Sequence, residues 1–424
     1  MSNDATPQRR TARHVVSRVA MDVRPFKIRD FRRLFYGNAL TMIGAQMTIV
    51  AVGVQVYSLT KSSAMVGYTS LFALVPLIIF GLIGGALADS VDRRKLVVVS
   101  TVLTAATSVL LYLQSMAGLG SVLVIWLLVA VQSATAAIYR PSRAAMLPKI
   151  VPAHLIPAAN TISSSTMSLG MILGPLIAGV IIAQAGLDWT YLVEAVLLVG
   201  ALFSLLGLPS MPVERTTQRR NPFRDVWDGF VYLRTQPLLT MQFVVDLIAM
   251  IFGWPLAVFP ALADGRFGEG AIGWLYAGTS IGAVLAGLLS GWISHLQRHG
   301  VAIIVSVVIW GSAIIVFAFA DNLVLGLACL AFAGAADLVS ASLRMTMLQV
   351  LVPDELRGRM QGTFMVVVAG GPRLGDVRLG VTAAALGPTV ALWSGGVVIV
   401  VAMVLCAVLM RSFWTYRHVS AVAS

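Results

Sequence analysis

Six ionisable side chains stand inside stretches of otherwise apolar residues: Glu194, Asp246, Asp337, Arg373, Asp376 and Arg378. A charge at bilayer depth is costly, so each such group either has a function or has a partner. Arg373 and Asp376 are three residues apart, which puts both on one face of a helix. A carboxylate beside an arginine can take up a proton and release it when the arginine moves, which makes Asp376 the first candidate for proton exchange. Asp246 and Asp337 follow, because each lies about two turns inside its apolar run, within reach of Arg373 or Arg344. Arg373, Arg378 and Arg344 are the matching candidates for a substrate charge or an ion pair. The same set also reads as a buried ion-pair network that only fixes helix packing. Glu194, behind Trp189 and Tyr191, is either a further proton site or a side chain that snorkels to the interface. Asn38, Gln46, Gln55 and Gln132 offer hydrogen bonds toward a cavity or between helices.

These residues must be held by membrane helices. The 424 residues are 58% hydrophobic and only 11% charged, where a soluble domain carries about 25% charged residues. Mean hydropathy is +0.88. Runs long enough to cross a bilayer fall near 34–57, 65–88, 96–116, 121–140, 159–184 and 189–208. Six more follow near 238–262, 270–293, 301–320, 322–343, 361–386 and 389–411. The runs exceed twenty residues without period-two alternation, so they predict helices and not barrel strands. Cys329 and Cys406 both lie in apolar runs and predict packing residues, not a disulfide.

The expected division is a basic tail at 1–33, a six-helix half at 34–208, a polar connection at 209–237, a second half at 238–411 and a tail at 412–424. With twelve crossings, all but four of the 30 basic residues fall on the side of the tails and the 209–237 connection. Lys61 and Arg266 fall opposite; Arg373 and Arg378 fall within a helix. Both termini are therefore expected in the cytoplasm, and the excess of positive charge reads as topogenic, which argues against nucleic acid as a partner.

An internal repeat supports two halves. A shift of 201 residues carries Arg143 onto Arg344, Val151-Pro152 onto Val352-Pro353, and Gly170, Gly174 and Gly179 onto Gly371, Gly375 and Gly380. Parallel repeats of this kind build transporters, with the substrate site between the halves.

The connection after helix 2 reads Gly85-Ala-Leu87-Ala-Asp89-Ser-Val-Asp92-Arg93-Arg94-Lys95. It resembles the signature loop of the major facilitator superfamily, G-x-L-a-D-x-x-G-R-R/K. That resemblance implies a gating loop in which Gly85 allows close approach, Asp89 docks on helix 11, and Arg93 and Arg94 hold the cytoplasmic face. Asp92 occupies the place of the second glycine, which puts the tight turn in question. The second-half equivalent, Gly291 to Arg298, lacks the acid. Helix 5 carries Gly170-Met-Ile-Leu-Gly174-Pro175-Leu-Ile-Ala178-Gly179, similar to the superfamily's antiporter motif, with Ala178 in place of one glycine. Glycines at this spacing make a smooth packing face, and Pro175 bends it. Segments such as Phe259 to Asp264, Ile272 to Gly291 and Pro353 to Gly362 resemble the siderophore-exporting branch, which neighbours macrolide and tetracycline efflux proteins. The usual arginine of helix 4 has no mid-helix match, because Arg140 and Arg143 sit at the cytoplasmic end of the run.

The resemblance implies an all-α membrane transporter of twelve helices, a secondary exporter expected to exchange protons for a siderophore or amphipathic small molecule. Its place would be a bacterial cytoplasmic membrane, as a monomer in contact with lipid. A lipid-handling or receptor-like protein on the same fold is the alternative. Enzyme chemistry is not expected. The five histidines fall in tails and connections, and no metal-ligand, cofactor or nucleotide motif is present.

Overall fold

The computed structural model describes residues 22–88, 90–212, 222–353 and 356–416. Asp89 and the ends of both tails lie outside the described residues. Among the described residues the structure has twelve long helices. The first six are α1 (Arg29–Thr60), α2 (Ser63–Ala88), α3 (Arg93–Met116), α4 (Val122–Ile150), α5 (Ile156–Ala185) and α6 (Leu187–Leu206). The second six are α7 (Pro237–Gly253), α8 (Ile272–Leu288), α9 (His299–Ala318), α10 (Leu323–Leu351), α11 (Arg357–Leu386) and α12 (Pro388–Leu409). Among the described residues, 11 helices are long and apolar enough to cross a membrane. The twelfth crossing is α11, whose 30 residues suffice in length but include Arg373, Asp376 and Arg378.

Several boundaries differ from the hydropathy runs, each for a physical reason. Helices α4 and α10 continue to Ile150 and Leu351, because a helix does not stop where its residues become polar. Arg140, Arg143 and Arg344 therefore stand on helices, not in connections. The seventh run breaks at Trp254-Pro255, since proline has no N–H to continue the ladder. It resumes as short helical turns through Phe267. Inside the polar connection, Pro222–Thr235 forms a further helix that lies against α11.

The halves repeat each other. In the first, α1 packs on α5 and α6, α3 on α4 and α6, and α2 on α4; in the second, α7 packs on α11 and α12, α9 on α10 and α12, and α8 on α10. The repeat is visible residue by residue. Helices α5 and α11 both end on a glycine with positive φ, Gly186 at 98° and Gly387 at 88°, a conformation L side chains avoid.

The halves meet along two seams, α2 against α11 and α5 against α8, which the pseudo-twofold relation exchanges. Both seams are tight at the end that carries Lys61. A Cβ on Gly179 of α5 would lie 2.7 Å from Gly273 Cα of α8. Its counterpart on Gly380 of α11 would lie 2.4 Å from the Ser63 carbonyl oxygen at the start of α2. Met47, Val50 and Ala178 of the first half share one buried cluster with Val258, Phe259, Ile272 and Tyr276 of the second. Above them Lys61 Nζ meets Asp264 Oδ2 at 3.0 Å. Away from that end, Arg140 is exposed and Asp337 keeps 35% of its side chain exposed. The halves are thus in close contact at the Lys61 end.

Candidate functional site

The charges of the second half fall into two separate groups. On α10, Arg344 forms an ion pair with Asp246 of α7, and its Nη2 lies 3.8 Å from Asp337 Oδ1, two turns away on its own helix. Two carboxylates thus share one guanidinium. Arg344 and Asp246 are buried, whereas Asp337 faces the cleft. Of the two partners expected for Asp246 and Asp337, the structure supplies Arg344 and not Arg373.

Asp376 belongs to the seam. It is 6% exposed, and its Oδ2 accepts a hydrogen bond of 2.6 Å from Ser70 Oγ on α2, across the halves. Its Oδ1 is buried with no hydrogen-bond partner. The backbone is equally confined: a Cβ on Gly67 of α2 would lie 2.5 Å from the Asp376 carbonyl oxygen, and one on Gly375 would lie 2.2 Å from that of Met250 on α7. Helix α11 is wedged there between α2 and α7.

The expected Arg373–Asp376 pair does not form. The Arg373 Nη1 donates instead to the carbonyl of Ala369, at 2.9 Å. The side chains share a face and stay within electrostatic range, and so does Arg140 of α4. Arg378 is not a cleft residue either. It donates to the carbonyls of Phe252 at 3.4 Å and Ala391 at 3.1 Å and to Ser394 Oγ at 3.4 Å. With its guanidinium 5.1 Å from the Phe252 ring centre, it ties α11 to α7 and α12, where the α7 break frees a carbonyl.

In the first half, Glu194 does not snorkel; it is 0% exposed among α1, α3 and α6. Asn38 and Gln46 are half-buried on α1, and among the described residues no hydrogen bond reaches either. The side chain of Gln46 instead fills the space left by Gly174, where a Cβ would come within 2.5 Å of it.

The helix 5 motif divides its work. Gly170 and Gly174 admit Met42 and Gln46 of α1, within the half, whereas Gly179 and the Pro175 carbonyl meet Gly273 across the seam. The gating loop differs from expectation at two points. Gly85 has no neighbour within 4 Å; the close approach belongs to Gly84, where a Cβ would lie 3.0 Å from the Ala137 carbonyl of α4. Asp92 makes no glycine-type turn. It caps α3, accepting from the backbone N–H groups of Arg94 and Lys95 at 2.9 and 3.2 Å, and also from Ser210 Oγ and the Met211 N–H. Partial burial opposes its charge, yet these hydrogen bonds hold its carboxyl below the usual range. Arg93 and Arg94 bond the carbonyls of Ala145 at 3.0 Å and Leu206 at 2.6 Å, which clamps the loop onto α4 and α6. The role expected of Asp89 lies outside the described residues.

Ser70, Gly84 and the Lys61–Asp264 pair are additions from the structure. Ser70 carries no signal in the sequence, while Lys61 and Asp264 are isolated charges in two connections on one side. Among the described residues, no cluster of His, Cys, Asp or Glu could hold a metal ion.

Comparison with known proteins agrees with this architecture. The family model described as transmembrane secretion effector matches residues 20–419. The chain is 28% identical over 387 residues to the enterobactin exporter EntS of Shigella boydii serotype 4 (strain Sb227), covering 90% of this chain and 93% of the relative. The EntS of Escherichia coli O1:K1 / APEC gives the same identity and coverage. Among solved structures, the nucleoside transporter NupG superposes with a TM-score of 0.75 at 14% identity, over 91% of this chain and 99% of that one. The peptide transporter POT in complex with sulfate gives 0.75 at 12%, over 95% and 98%. These structures share the fold; the relatives are membrane exporters. A bundle of twelve helices in two repeated halves, closed along α2–α11 and α5–α8, is thus that of a transporter and not an enzyme, and the chain belongs to the transmembrane secretion effector family of the major facilitator transporters.

Proposed function

We propose that the chain is a secondary active exporter that moves a siderophore or amphipathic small molecule out of a bacterial cell in exchange for protons. Its termini then face the cytoplasm, where positive charge concentrates, and the described state is inward-facing. The observation that carries the reading is Asp376, buried in the seam that closes the Lys61 end and bonded across it to Ser70. Opening that end separates α2 from α11 and exposes the carboxyl to outside water; closing it removes the carboxyl from that water. A group whose access alternates with the gate is what proton exchange requires. Arg373, one turn away, favours release of the proton when it approaches. Asp337 and Asp246, sharing Arg344, are the next candidates, and Asp337 already meets the inner cleft. Likeness to the enterobactin exporter supports a siderophore as cargo.

The test is uptake of labelled enterobactin or a labelled macrolide into inside-out liposomes carrying the purified protein. A proton gradient should drive accumulation of one of them, and collapse of the gradient should abolish it. Movement indifferent to the gradient would remove proton exchange from the reading.

A further inference from the structure

Glu194 is a charged-type residue that the seam does not use. It stands about 10 Å along α6 from the Lys61 end, is 0% exposed, and neither carboxyl oxygen has a hydrogen-bond partner. The hydroxyls of Thr48 on α1 and Ser108 on α3 lie beside it. A glycine makes its room: a Cβ on Gly44 would lie 3.1 Å from Glu194 Cγ. No cation offsets it. The charged residues of α1 and α3 sit at their opposite ends, Arg29 to Arg33 and Arg93 to Lys95, and α5 contains no ionisable side chain. The titratable groups on its side of the half are Asp188 and Tyr191 of α6, Tyr57 of α1, Tyr112 of α3 and, at the exposed end of α1, Lys61, which is paired with Asp264. An unpaired carboxyl in so dry a place is a receptor for a proton.

Along α1, α3 and α6, polar side chains lie between this point and the Lys61 end. Asp188, in the first turn of α6, accepts from Ser115 Oγ of α3. One turn deeper, the Tyr191 hydroxyl donates to Gln55 Oε1 at 2.8 Å, and Gln114 Nε2 donates to the same oxygen at 3.0 Å. Tyr191, Gln55 and Gln114 are buried. Interhelical polar bonds in membranes are worth about 1 kcal/mol, which explains each one singly but not why they line up between Asp188 and a carboxyl with no partner.

We propose that Glu194 is a second proton-binding site, inside the first half, which exchanges with the medium at the Lys61 end along Asp188, Tyr191, Gln55 and Gln114. The proposal builds on the proton-exchange reading but places this proton away from the cleft, so cargo and proton need not compete for one space.

A carbodiimide, which reacts with buried neutral carboxylic acids, reads the site without any cargo. Full-length protein in sealed vesicles is labelled with dicyclohexylcarbodiimide at independently set outer and inner pH, and the adduct is located by mass spectrometry. With the Lys61 end outward, raising outer pH from about 6 to about 9 should cut the Glu194 adduct roughly tenfold, while the same change inside has little effect. Glu194→Gln should abolish the adduct, and Tyr191→Phe should slow its response. An adduct that ignores pH on both sides, or follows inner pH alone, overturns the proposal, as does a Glu194 that never labels. Parallel measurement of proton movement with labelled enterobactin separates the two readings. A responsive adduct without coupled protons would sink proton exchange and keep the site. Coupled protons with an unresponsive adduct would do the reverse.

Discussion

Ser70 on α2 and Asp376 on α11 are joined by a hydrogen bond of 2.6 Å that crosses between the two halves. The bond lies in the α2–α11 seam, so any separation of these two helices would change the environment of this carboxyl. Asp376→Asn keeps a similar shape but cannot exchange a proton. It should abolish gradient-driven efflux while preserving downhill exchange of cargo, measured as counterflow in liposomes. A purely structural role predicts the opposite pattern, with lost thermal stability and transport that declines only in proportion.

The ion pair of Arg344 with Asp246 invites a different result. Removing one member of a buried pair leaves an unpaired charge and costs about 3–5 kcal/mol. Asp246→Leu should therefore lower the unfolding temperature clearly, and Arg344→Met should do the same. The double variant, which leaves only the part-exposed Asp337 without its guanidinium, should recover most of the loss. Additive losses in a thermal-unfolding cycle would show that the two side chains are not coupled.

Lys61 and Asp264 join the two halves by an ion pair at the Lys61 end. Their side chains are 63% and 45% exposed, so the pair contributes about 0–1 kcal/mol and its loss should barely alter stability. Its value is as a reporter of closure. Cysteines at both positions, joined by a short bifunctional reagent, should stop transport reversibly. Undiminished transport by fully cross-linked protein would mean that this end does not open.

The sequence carried the fold because its two strongest signals are physical. A bilayer demands long apolar runs, and a repeated half demands repeated glycines; the shift of 201 that aligns Gly186 with Gly387 also aligns the ends of α5 and α11. Less of the site was legible. Charge marked Asp246, Asp337, Asp376 and Glu194 but gave no pairing, since Arg344 meets Asp246 across helices that only tertiary packing brings together. Helical spacing put Arg373 and Asp376 on one face, yet the Ala369 carbonyl outcompetes the carboxylate for the guanidinium. Arg140 was misplaced because hydropathy ends a helix where polarity begins, whereas backbone hydrogen bonding continues α4 to Ile150. Asp92, read as a lost glycine, carries the recognisable signal of an N-cap, two residues ahead of the first N–H it binds.

The two seams give the last prediction, because the repeat makes them equivalent. Gly179 meets Gly273, and Gly380 meets Ser63, at distances that leave no room for a methyl group. Overpacking of this kind costs about 1–3 kcal/mol, and here the cost falls only on the state closed at the Lys61 end. Gly179→Ala and Gly380→Ala should each shift the population toward the opposite state by about tenfold or more, since 1.4 kcal/mol is a factor of ten. The shift can be read with a cysteine at Ser70, a near-isosteric change at a position that faces Asp376 across the α2–α11 seam. Its labelling by an impermeant thiol reagent from the Lys61 side should accelerate in both backgrounds, and by similar factors. Acceleration in one background alone would mean that the seams do not open together, and that the halves move by bending one helix and not as rigid bodies. No acceleration in either, with the protein folded, would show that these glycines pack the bundle without setting its gate.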